Sequence, residues 1–495
     1  MEPSLRCAAD LRGPGGPCHG AGMSSTPAPK NLASPEPRRE LAGKLAGKTI
    51  PAQLATLAVW PLLEQILGFA VAATDQVLAG RFADPLARLH ALDALAVGGY
   101  FSWLLMILQG AVGTGGLALI ARATGAGDTH LARRALGQTV MLGTGLGILV
   151  SLVAILGIPI FLKAFALTGE TAQMASDYLQ IIAFSSPLTG FILASNAGLR
   201  GSGDTRTPFL IMTIVNTTNI GTSWLFTFGP APFGGHGVAG LAGGTLLGWV
   251  VGALVLAWKL SRVRTNRLTL DRESLRPERE AMARIVRVGL PSAMEILGMW
   301  VINTWLLRMV AALPITGALG AHILTIRLES LSFLPGFALG AAGATLAGQY
   351  LGLGNRERAR EAVRTAWFFG MLLMSSIGLL FLVFPERLIG FIIPGSDIHL
   401  RLAMPLLLQC GCCQPMLATC IILKTSFRGT GDTRAVMRLS YLSMLVFRVL
   451  GTWVALRVAQ NGLFWIWVCM SLDIATQAAV FARRFFQGGW LKAKV

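Results

Sequence analysis

Long stretches without a charged residue recur along this chain. Residues 136–161 and 237–258 contain no Asp, Glu, Lys or Arg, and each is long enough to cross a hydrocarbon core of about 30 Å as a helix. Over the whole chain 53% of residues are hydrophobic and 13% are charged, which lies outside the usage of soluble globular proteins. The sequence therefore predicts an all-α polytopic membrane protein.

Twelve membrane spans are predicted from these stretches. They lie near residues 50–80, 93–120, 134–161, 171–198, 208–229, 237–259, 288–312, 317–347, 363–384, 400–423, 437–456 and 462–482. Each is an apolar segment of a length that suits a transmembrane helix.

The spans fall into two halves that repeat. Residues 200–206 (RGSGDTR) return as residues 428–434 (RGTGDTR), 228 positions later, and residues 125–128 (GAGD) return as 352–355 (GLGN), 227 positions later. Internal repeats of this kind build many transporters, with a substrate path between the halves. Because six spans is an even number, both halves enter the membrane from the same side, which predicts two parallel-repeat six-helix bundles.

The repeat divides the chain into five segments. We expect a disordered N-terminal tail at 1–49, in which Met23 is an alternative start, a first lobe at 50–260, a cytoplasmic linker at 261–282, a second lobe at 283–487 and a cytoplasmic C-terminal tail at 488–495. The tail assignment rests on its Pro, Gly and Ala content and on its lack of a continuous apolar run.

The net charge of +18 is concentrated in the loops after even-numbered spans, and residues 259–287 alone carry nine Lys and Arg. The positive-inside rule then places both termini on the cytoplasmic side of the inner (cytoplasmic) membrane. Basic loops beside a membrane account for the charge without nucleic acid. Four of the seven cysteines (Cys410, Cys412, Cys413 and Cys420) lie within apolar span ten, where we expect small hydrophobic packing and no metal site.

Span one carries two carboxylates inside the membrane, Glu64 and Asp75. They are eleven residues apart, close to three helical turns, so they share one face of the helix. A charged group at the centre of a span costs about 2.5–3.5 kcal/mol and needs a partner, a cavity or a function. Both are candidates for binding a coupling ion, H⁺ or Na⁺; the alternative is a bond to a neighbouring helix.

Span five presents a polar stripe. Asn216, Asn219 and Ser223 follow each other at three- and four-residue spacing, so they lie on one side of the helix. Their amide and hydroxyl oxygens suit a cation, and the same groups also join helices in membranes. Opposite Asp75, the stripe becomes a candidate ion site.

The second half holds a further set of polar residues inside the spans: Arg327, Arg448, Glu295, Glu329 and Asp473. They form a candidate second-lobe polar site. Arg327 and Glu329 are two positions apart and do not face each other on a helix, whereas Arg448 is a possible partner for Glu329. Structural ion pairing is the alternative for this set.

Aromatic and proline residues suggest further roles. Trp60, Trp103 and Trp300 are candidates for lining a substrate cleft, since their rings attract flat cations; anchoring at the membrane interface is the alternative. Pro187 and Pro415 occupy equivalent places in spans four and ten. Because proline bends a helix, the pair is a candidate hinge between the lobes, although packing also explains it.

Several short segments stand out between residues of about 50 and 490: Pro61, 75–81 (DQVLAGR), 121–128 (ARATGAGD), 199–204 (LRGSGD), 288–291 (VGLP), 329–336 (ESLSFLPG) and 348–352 (GQYLG). Together these segments resemble the multidrug and toxic compound extrusion (MATE) family, bacterial type. Their order, in both halves, makes the resemblance specific.

The resemblance implies two six-helix lobes that open alternately to either side of the membrane. It also implies export of organic, often cationic and amphipathic compounds in exchange for H⁺ or Na⁺. Asp75 matches a first-helix aspartate of the family and Asn219 a fifth-helix asparagine of the same polar cluster. Ser223 stands where some members have a second aspartate, so the ion and its stoichiometry stay open.

Three other functions are weaker expectations. A flippase for lipid-linked or other lipid precursors fits the same fold, but it favours basic residues in the cleft, and only Arg327 and Arg448 lie well inside a span. An enzyme needs a His or carboxylate cluster that the scattered histidines do not supply, and a pore ring needs more than two repeats. We expect a monomer whose partners are membrane lipid and a small-molecule substrate, with no cofactor besides the coupling ion.

Overall fold

The computed structural model describes residues 41, 43–165, 167–262, 268–458, 462–493 and 495, with the side chains of 44 and 69–73 left aside. Apart from one bridge at Leu268 and short turns, the described chain is helical. The α-helices are α1 Ile50–Ala79, α2 Pro85–Ala126, α3 Thr129–Ala164, α4 Gly169–Phe184, α5 Ser186–Gly201, α6 Arg206–Phe228, α7 Gly237–Arg262, α8 Arg279–Ala311, α9 Ala318–Gly352, α10 Arg356–Val383, α11 Pro385–Ile392, α12 Asp397–Gly429, α13 Thr433–Ser443, α14 Thr452–Val458 and α15 Gly462–Gln487.

These helices supply twelve spans, as predicted. Within the described residues, ten helical segments are long and apolar enough to cross a membrane, and the bent pair α4–α5 makes an eleventh. The 23-residue helix α6 is the twelfth; its polar stripe lowers its hydropathy, yet it packs along the whole of α7. One span, Thr433–Val458, is built from α13, a π-helical stretch at Met444–Gly451 and α14.

The two halves repeat in local structure as well as in sequence. Gly127 and Gly354 both adopt positive φ, at 76° and 79°, which glycine tolerates without steric cost. The next residue caps the following helix in each half: Asp128 Oδ1 accepts from the Leu131 amide, and Asn355 Oδ1 accepts from the Arg358 amide. The repeated segments 125–128 and 352–355 thus end one helix and cap the next in the same way in both halves.

Glycines on α7 let it approach α6 closely. Gly240, Gly244, Gly248 and Gly252 are spaced four residues apart, and a Cβ at any of them would meet α6. Small residues at this spacing allow close packing of membrane helices. The pairing fixes the polar stripe of α6 against α7.

Polar contacts join the halves at the membrane side where the basic loops lie. Arg122 at the end of α2 donates to the backbone oxygen of Thr430, and Gln349 at the equivalent place on α9 donates to that of Gly201. Each donor therefore reaches the repeated RG(S/T)GDTR segment of the other half. We call these four residues the reciprocal latch.

Both ends of the described chain pack onto the helices. Leu41 and Leu45, within the expected N-terminal tail, are buried together with Leu346 and Phe427, while residues 1–40 of that tail lie outside the described residues. Trp490, in the expected C-terminal tail, is fully buried and stacks on Phe485. These ends add to the packing on the same side as the latch.

Candidate functional site

Asp75 lies one turn before the end of α1 and carries a buried oxygen without a bond. Among the residues that the structure describes, its Oδ1 has no hydrogen-bond partner. The buried side chain of Tyr178 on α4 interacts electrostatically with the Asp75 carboxylate. Since a buried polar atom without a partner is costly, the position suits an ion or a proton.

The polar stripe of α6 is bonded to α7 through its donors. Asn219 Nδ2 donates to Thr245 Oγ1 at 2.7 Å and to Ser223 Oγ at 3.3 Å, and Ser223 Oγ donates to the Leu241 oxygen at 3.1 Å. Asn219 Oδ1 is buried without a partner among the described atoms. The stripe thus joins α6 to α7, and the Asn219 Oδ1 atom stays available to accept a further bond among the described residues.

The register of α1 against α6 places Asp75 at about the same height along the helix axis as this stripe. The Trp60 ring contacts the Phe209 ring at a centroid distance of 5.4 Å, and the Phe82 ring contacts the Phe228 ring at 6.1 Å. Neighbouring residues of the two segments therefore differ by about 147 in residue number. At a rise of about 1.5 Å per residue, Asp75 lies at about the level of residue 222 along the helix axis. Carboxylate, amide and hydroxyl oxygens at one level suit H⁺ or a hard cation.

Glu64, unlike Asp75, is paired with an arginine. Its carboxylate accepts from Arg200, at the end of α5, at 2.6 and 2.8 Å. Arg200 opens the first repeated motif, and Arg428 opens the second. Arg428 in turn donates to Glu295 of α8, so each half joins its first and fourth spans by a glutamate–arginine pair.

Glu295 lies at the centre of a larger cluster in the second half. It is 2% exposed and also accepts from Ser440 at 2.8 Å, while the Lys424 ammonium lies 2.7 Å away. Two cations around one buried carboxylate are the arrangement of a structural ion pair. Lys424 escaped the sequence reasoning because the predicted span ended at residue 423.

Asp473 and Arg448 form a second buried pair. Arg448 Nε donates to Asp473 Oδ2, its Nη1 donates to Asn303 at 2.8 Å, and Asp473 Oδ1 accepts from Gln477 at 2.8 Å. Glu329 is buried next to Cys410 and within range of the Arg448 charge. Arg327, by contrast, is exposed on α9, and among the described residues its side chain makes no ion pair or hydrogen bond with the other four members of the predicted second-lobe site.

The aromatic and proline candidates are dispersed. Trp60 packs on α6, Trp103 is 37% exposed, and Trp300 Nε1 is buried with no partner among described atoms. The chain bends by 47° between α4 and α5, where Pro187 lies, while α12 continues through Pro415. A hinge role for this pair stays a prediction.

Besides Lys424, the side chains near Asp75 and in the second-half cluster that sequence reasoning missed include Tyr178, Thr245 and Asn303. Each comes from a segment distant in sequence from its partner. Spacing within one helix carries no signal for such contacts; only the polar character of Asn303 inside a span offered a hint.

Comparison with known proteins identifies the family. The MatE family profile matches residues 61–225 and 291–454, once in each half. The chain is 28% identical over 446 residues to the "Probable multidrug resistance protein NorM" of Thermotoga maritima, covering 90% of this chain and 94% of the relative. It is 25% identical over 398 residues to the "Multidrug resistance protein MdtK" of Yersinia pseudotuberculosis, covering 78% and 84%.

The fold agrees with that result. A solved structure titled "Outward-facing conformation of a multidrug resistance MATE family transporter of the MOP superfamily" superposes with a TM-score of 0.83 at 20% identity, covering 90% of this chain and 98% of that one. The profile match takes in well over half of the sequence, in the order that the internal repeat predicts. The chain belongs to the MatE family, the multidrug and toxic compound extrusion transporters.

Proposed function

We propose that this protein is a secondary antiporter that exports organic, often cationic and amphipathic compounds across the cytoplasmic membrane in exchange for inward H⁺ or Na⁺. The names of the two curated relatives support drug export as the class of cargo. In this proposal the chain works as a monomer, with both termini cytoplasmic and no cofactor besides the coupling ion.

The unpaired carboxylate of Asp75 carries the proposal. Glu64, Glu295 and Asp473 each contact an arginine within 2.6 Å. Glu329 makes no ion pair among the described residues, but it is hydrogen-bonded to Cys410 and interacts with the charge of Arg448 at longer range. For Asp75, no cation lies within ion-pair distance among the described residues, and one of its oxygens is buried without a bond. A carboxylate that lacks a resident cation is the group best placed to exchange H⁺ or Na⁺ with the two sides of the membrane.

The Asn219 stripe supplies the further ligands in this mechanism. Asn219 Oδ1 and Ser223 Oγ offer neutral oxygens, and Thr245 orients the Asn219 amide through its own bond. Neutral oxygens beside a single carboxylate leave the site with one negative charge, which one H⁺ or one Na⁺ neutralises. We propose one coupling ion at this site per cycle, and a polar site around Glu329 in the second half as a secondary candidate.

The reciprocal latch supports alternating access. It joins the halves at the basic side, where Gly125 and Gly352 also bring the two backbones into contact. On the opposite side an exposed hydrogen bond from Arg308 to the Ala164 oxygen, 3.2 Å long, joins the halves. We propose that the latch opens when the transporter exposes its cleft to the cytoplasm.

The flippase alternative is not favoured. Phosphate-bearing cargo favours several free guanidinium groups in the cleft, but Arg448 is bonded to Asp473 and Asn303, which leaves Arg327 as the one exposed arginine of the two in-span arginines.

Reconstituted transport tests the proposal. Proteoliposomes that contain the purified protein are loaded with ethidium. Efflux of ethidium is followed by fluorescence under an imposed H⁺ gradient, an imposed Na⁺ gradient, or neither. The proposal predicts efflux that depends on one of the two gradients and stops when an ionophore dissipates it. Efflux at the same rate without any gradient would refute antiport.

A further inference from the structure

A basic pocket lies between the start of α8 and α13, on the same side of the membrane as the basic loops. It encloses about 300 Å³ and is lined by Val286, Arg287, Leu290, Pro291, Met294, Arg434, Met437 and Arg438. The three arginines are exposed. Within the described part of the chain, none of the three has an ion pair or a side-chain hydrogen bond.

The equivalent place in the first half is filled. The repeat aligns Arg206 with Arg434 at an offset of 228, and Trp60–Pro61 with Leu290–Pro291 at an offset of 230. In the first half the Arg206 guanidinium lies over the Trp60 ring, 5.6 Å from its centroid. Arg434 lacks this partner because leucine replaces the tryptophan, and a cavity takes the place of the indole.

The second half also adds charge at this place. The first-half counterparts of Arg287 and Arg438, at the same offsets, are Leu57 and Leu210. Leu57 is 1% exposed and Leu210 is 38% exposed, and neither brings a charge to this place in the first half. The two halves therefore differ at this place. The first half has one arginine stacked on a tryptophan, and the second has three pocket-lining arginines that make no ion pair among the described residues.

The pocket is continuous with an apolar groove. Val286 and Leu290 line both the pocket and a groove of about 960 Å³ between α2, α3 and α8. Its wall follows α3 from Met141 to Ala164, so the groove runs from the basic side across much of the membrane. All the residues that line the groove are apolar or glycine, which suits an acyl chain.

We propose that the basic pocket binds the headgroup of an anionic phospholipid, with an acyl chain of that lipid in the α2–α3–α8 groove. Guanidinium groups bind phosphate oxygens in bidentate geometry, and basic pockets between transmembrane helices on the cytoplasmic side recognise anionic headgroups. A zwitterionic lipid brings its own ammonium next to three arginines, which disfavours it. The site stands on the fold and the repeat, independently of the coupling mechanism.

Native mass spectrometry of the full-length protein in detergent tests this site. Phosphatidylglycerol, phosphatidylcholine and inorganic phosphate are titrated separately against the wild-type protein. We expect phosphatidylglycerol to bind at least tenfold more tightly than phosphatidylcholine, and inorganic phosphate to bind too weakly to compete. Equal binding of the two lipids, or displacement of the lipid by inorganic phosphate, would overturn the proposal.

Variants separate the pocket from general surface charge. The triple variant Arg287→Gln/Arg434→Gln/Arg438→Gln is expected to weaken phosphatidylglycerol binding about 100-fold. The charge-matched control changes three other exposed arginines of the basic side, Arg279→Gln/Arg356→Gln/Arg364→Gln, and should change binding less than threefold. Similar losses in both triples would show that only diffuse charge attracts the lipid.

Two single variants keep the test independent of the triple variant's folding. Leu290→Trp installs the first-half residue, keeps every charge and fills the pocket, so we expect about tenfold weaker binding. Arg438→Leu installs the residue of the first half at the rim, with a smaller loss. Wild-type affinity in Leu290→Trp, in protein that still unfolds at the wild-type temperature, would contradict a headgroup in this pocket.

Discussion

At the scale of single residues, the carboxylates inside the spans divide by their partners. Glu64, Glu295 and Asp473 lie next to arginines, whereas Asp75 has none within ion-pair distance among described residues. A paired carboxylate is held ionised by its neighbour, and removing it leaves a buried cation without compensation. An unpaired one is free to change its occupancy. A carboxylate inside the spans therefore serves structure where an arginine pairs with it and, in our proposal, coupling at Asp75.

Glu295→Gln tests the structural role of a paired carboxylate. It would leave Arg428 and Lys424 without a counter-charge in a buried site, so we expect a loss of about 3–5 kcal/mol in the free energy of unfolding. Thermal unfolding of the detergent-solubilised protein measures the shift. Glu280→Gln, which removes an exposed pair with Arg284 on the same helix, should cost less than about 1 kcal/mol. Equal shifts in the two variants would contradict the assignment.

At the scale of elements, the sequence predicts the spans well and their contacts poorly. Apolar length alone locates nearly every span because a helix must cross a fixed thickness. The polar stripe of α6 was visible in its spacing, but its partner Thr245 was not, since nothing in one helix specifies which neighbour it meets. Glu295 illustrates the same limit: its partner Lys424 lies one residue past a predicted boundary, and only the packed structure places it inside.

Adjacent glycines on α7 provide a matched test of the α6–α7 contact. A Cβ at Gly244 would meet the backbone of Ser223, whereas a Cβ at Gly243 has its nearest neighbour, the Phe226 ring, at 3.4 Å. Gly244→Ala should therefore lower the free energy of unfolding by about 1–3 kcal/mol through overpacking. Gly243→Ala should be neutral or slightly stabilising, because alanine favours helix. Thermal unfolding distinguishes them, and identical midpoints would show that the two helices are not in close contact.

At the scale of the whole molecule, the internal repeat is the feature that the sequence reveals most completely. It predicts two six-helix halves, and the family profile matches once in each. The reciprocal latch was not predictable, although both of its acceptors lie in the repeated RG(S/T)GDTR segments, because those acceptors are backbone oxygens bonded from the opposite half. The sequence indicates which segments are equivalent, and only the fold shows that they contact each other crosswise.

Loss of the latch should open the basic side. In a background without native cysteines, spin labels at Thr129→Cys and Arg356→Cys, the first residues of α3 and α10, report the separation of the halves by pulsed electron paramagnetic resonance. Arg122→Ala removes the bonds to Thr430 and Ala493, so we expect a larger population at long distance. Lys163→Ala, exposed at the other end of α3, is the control. An unchanged distribution in Arg122→Ala would contradict the role of the latch.

The central claim is that Asp75 couples ion entry to export, and the most direct measurement is gradient-driven ethidium efflux from proteoliposomes containing wild-type, Asp75→Asn or Glu64→Gln protein. Ethidium exchange at equilibrium, without a gradient, is measured in parallel as a control for folding and substrate binding. We predict that Asp75→Asn loses gradient-driven efflux by at least tenfold and keeps exchange, whereas Glu64→Gln, which breaks a pair with Arg200, alters both together. Gradient-driven efflux at the wild-type rate in Asp75→Asn would contradict the account.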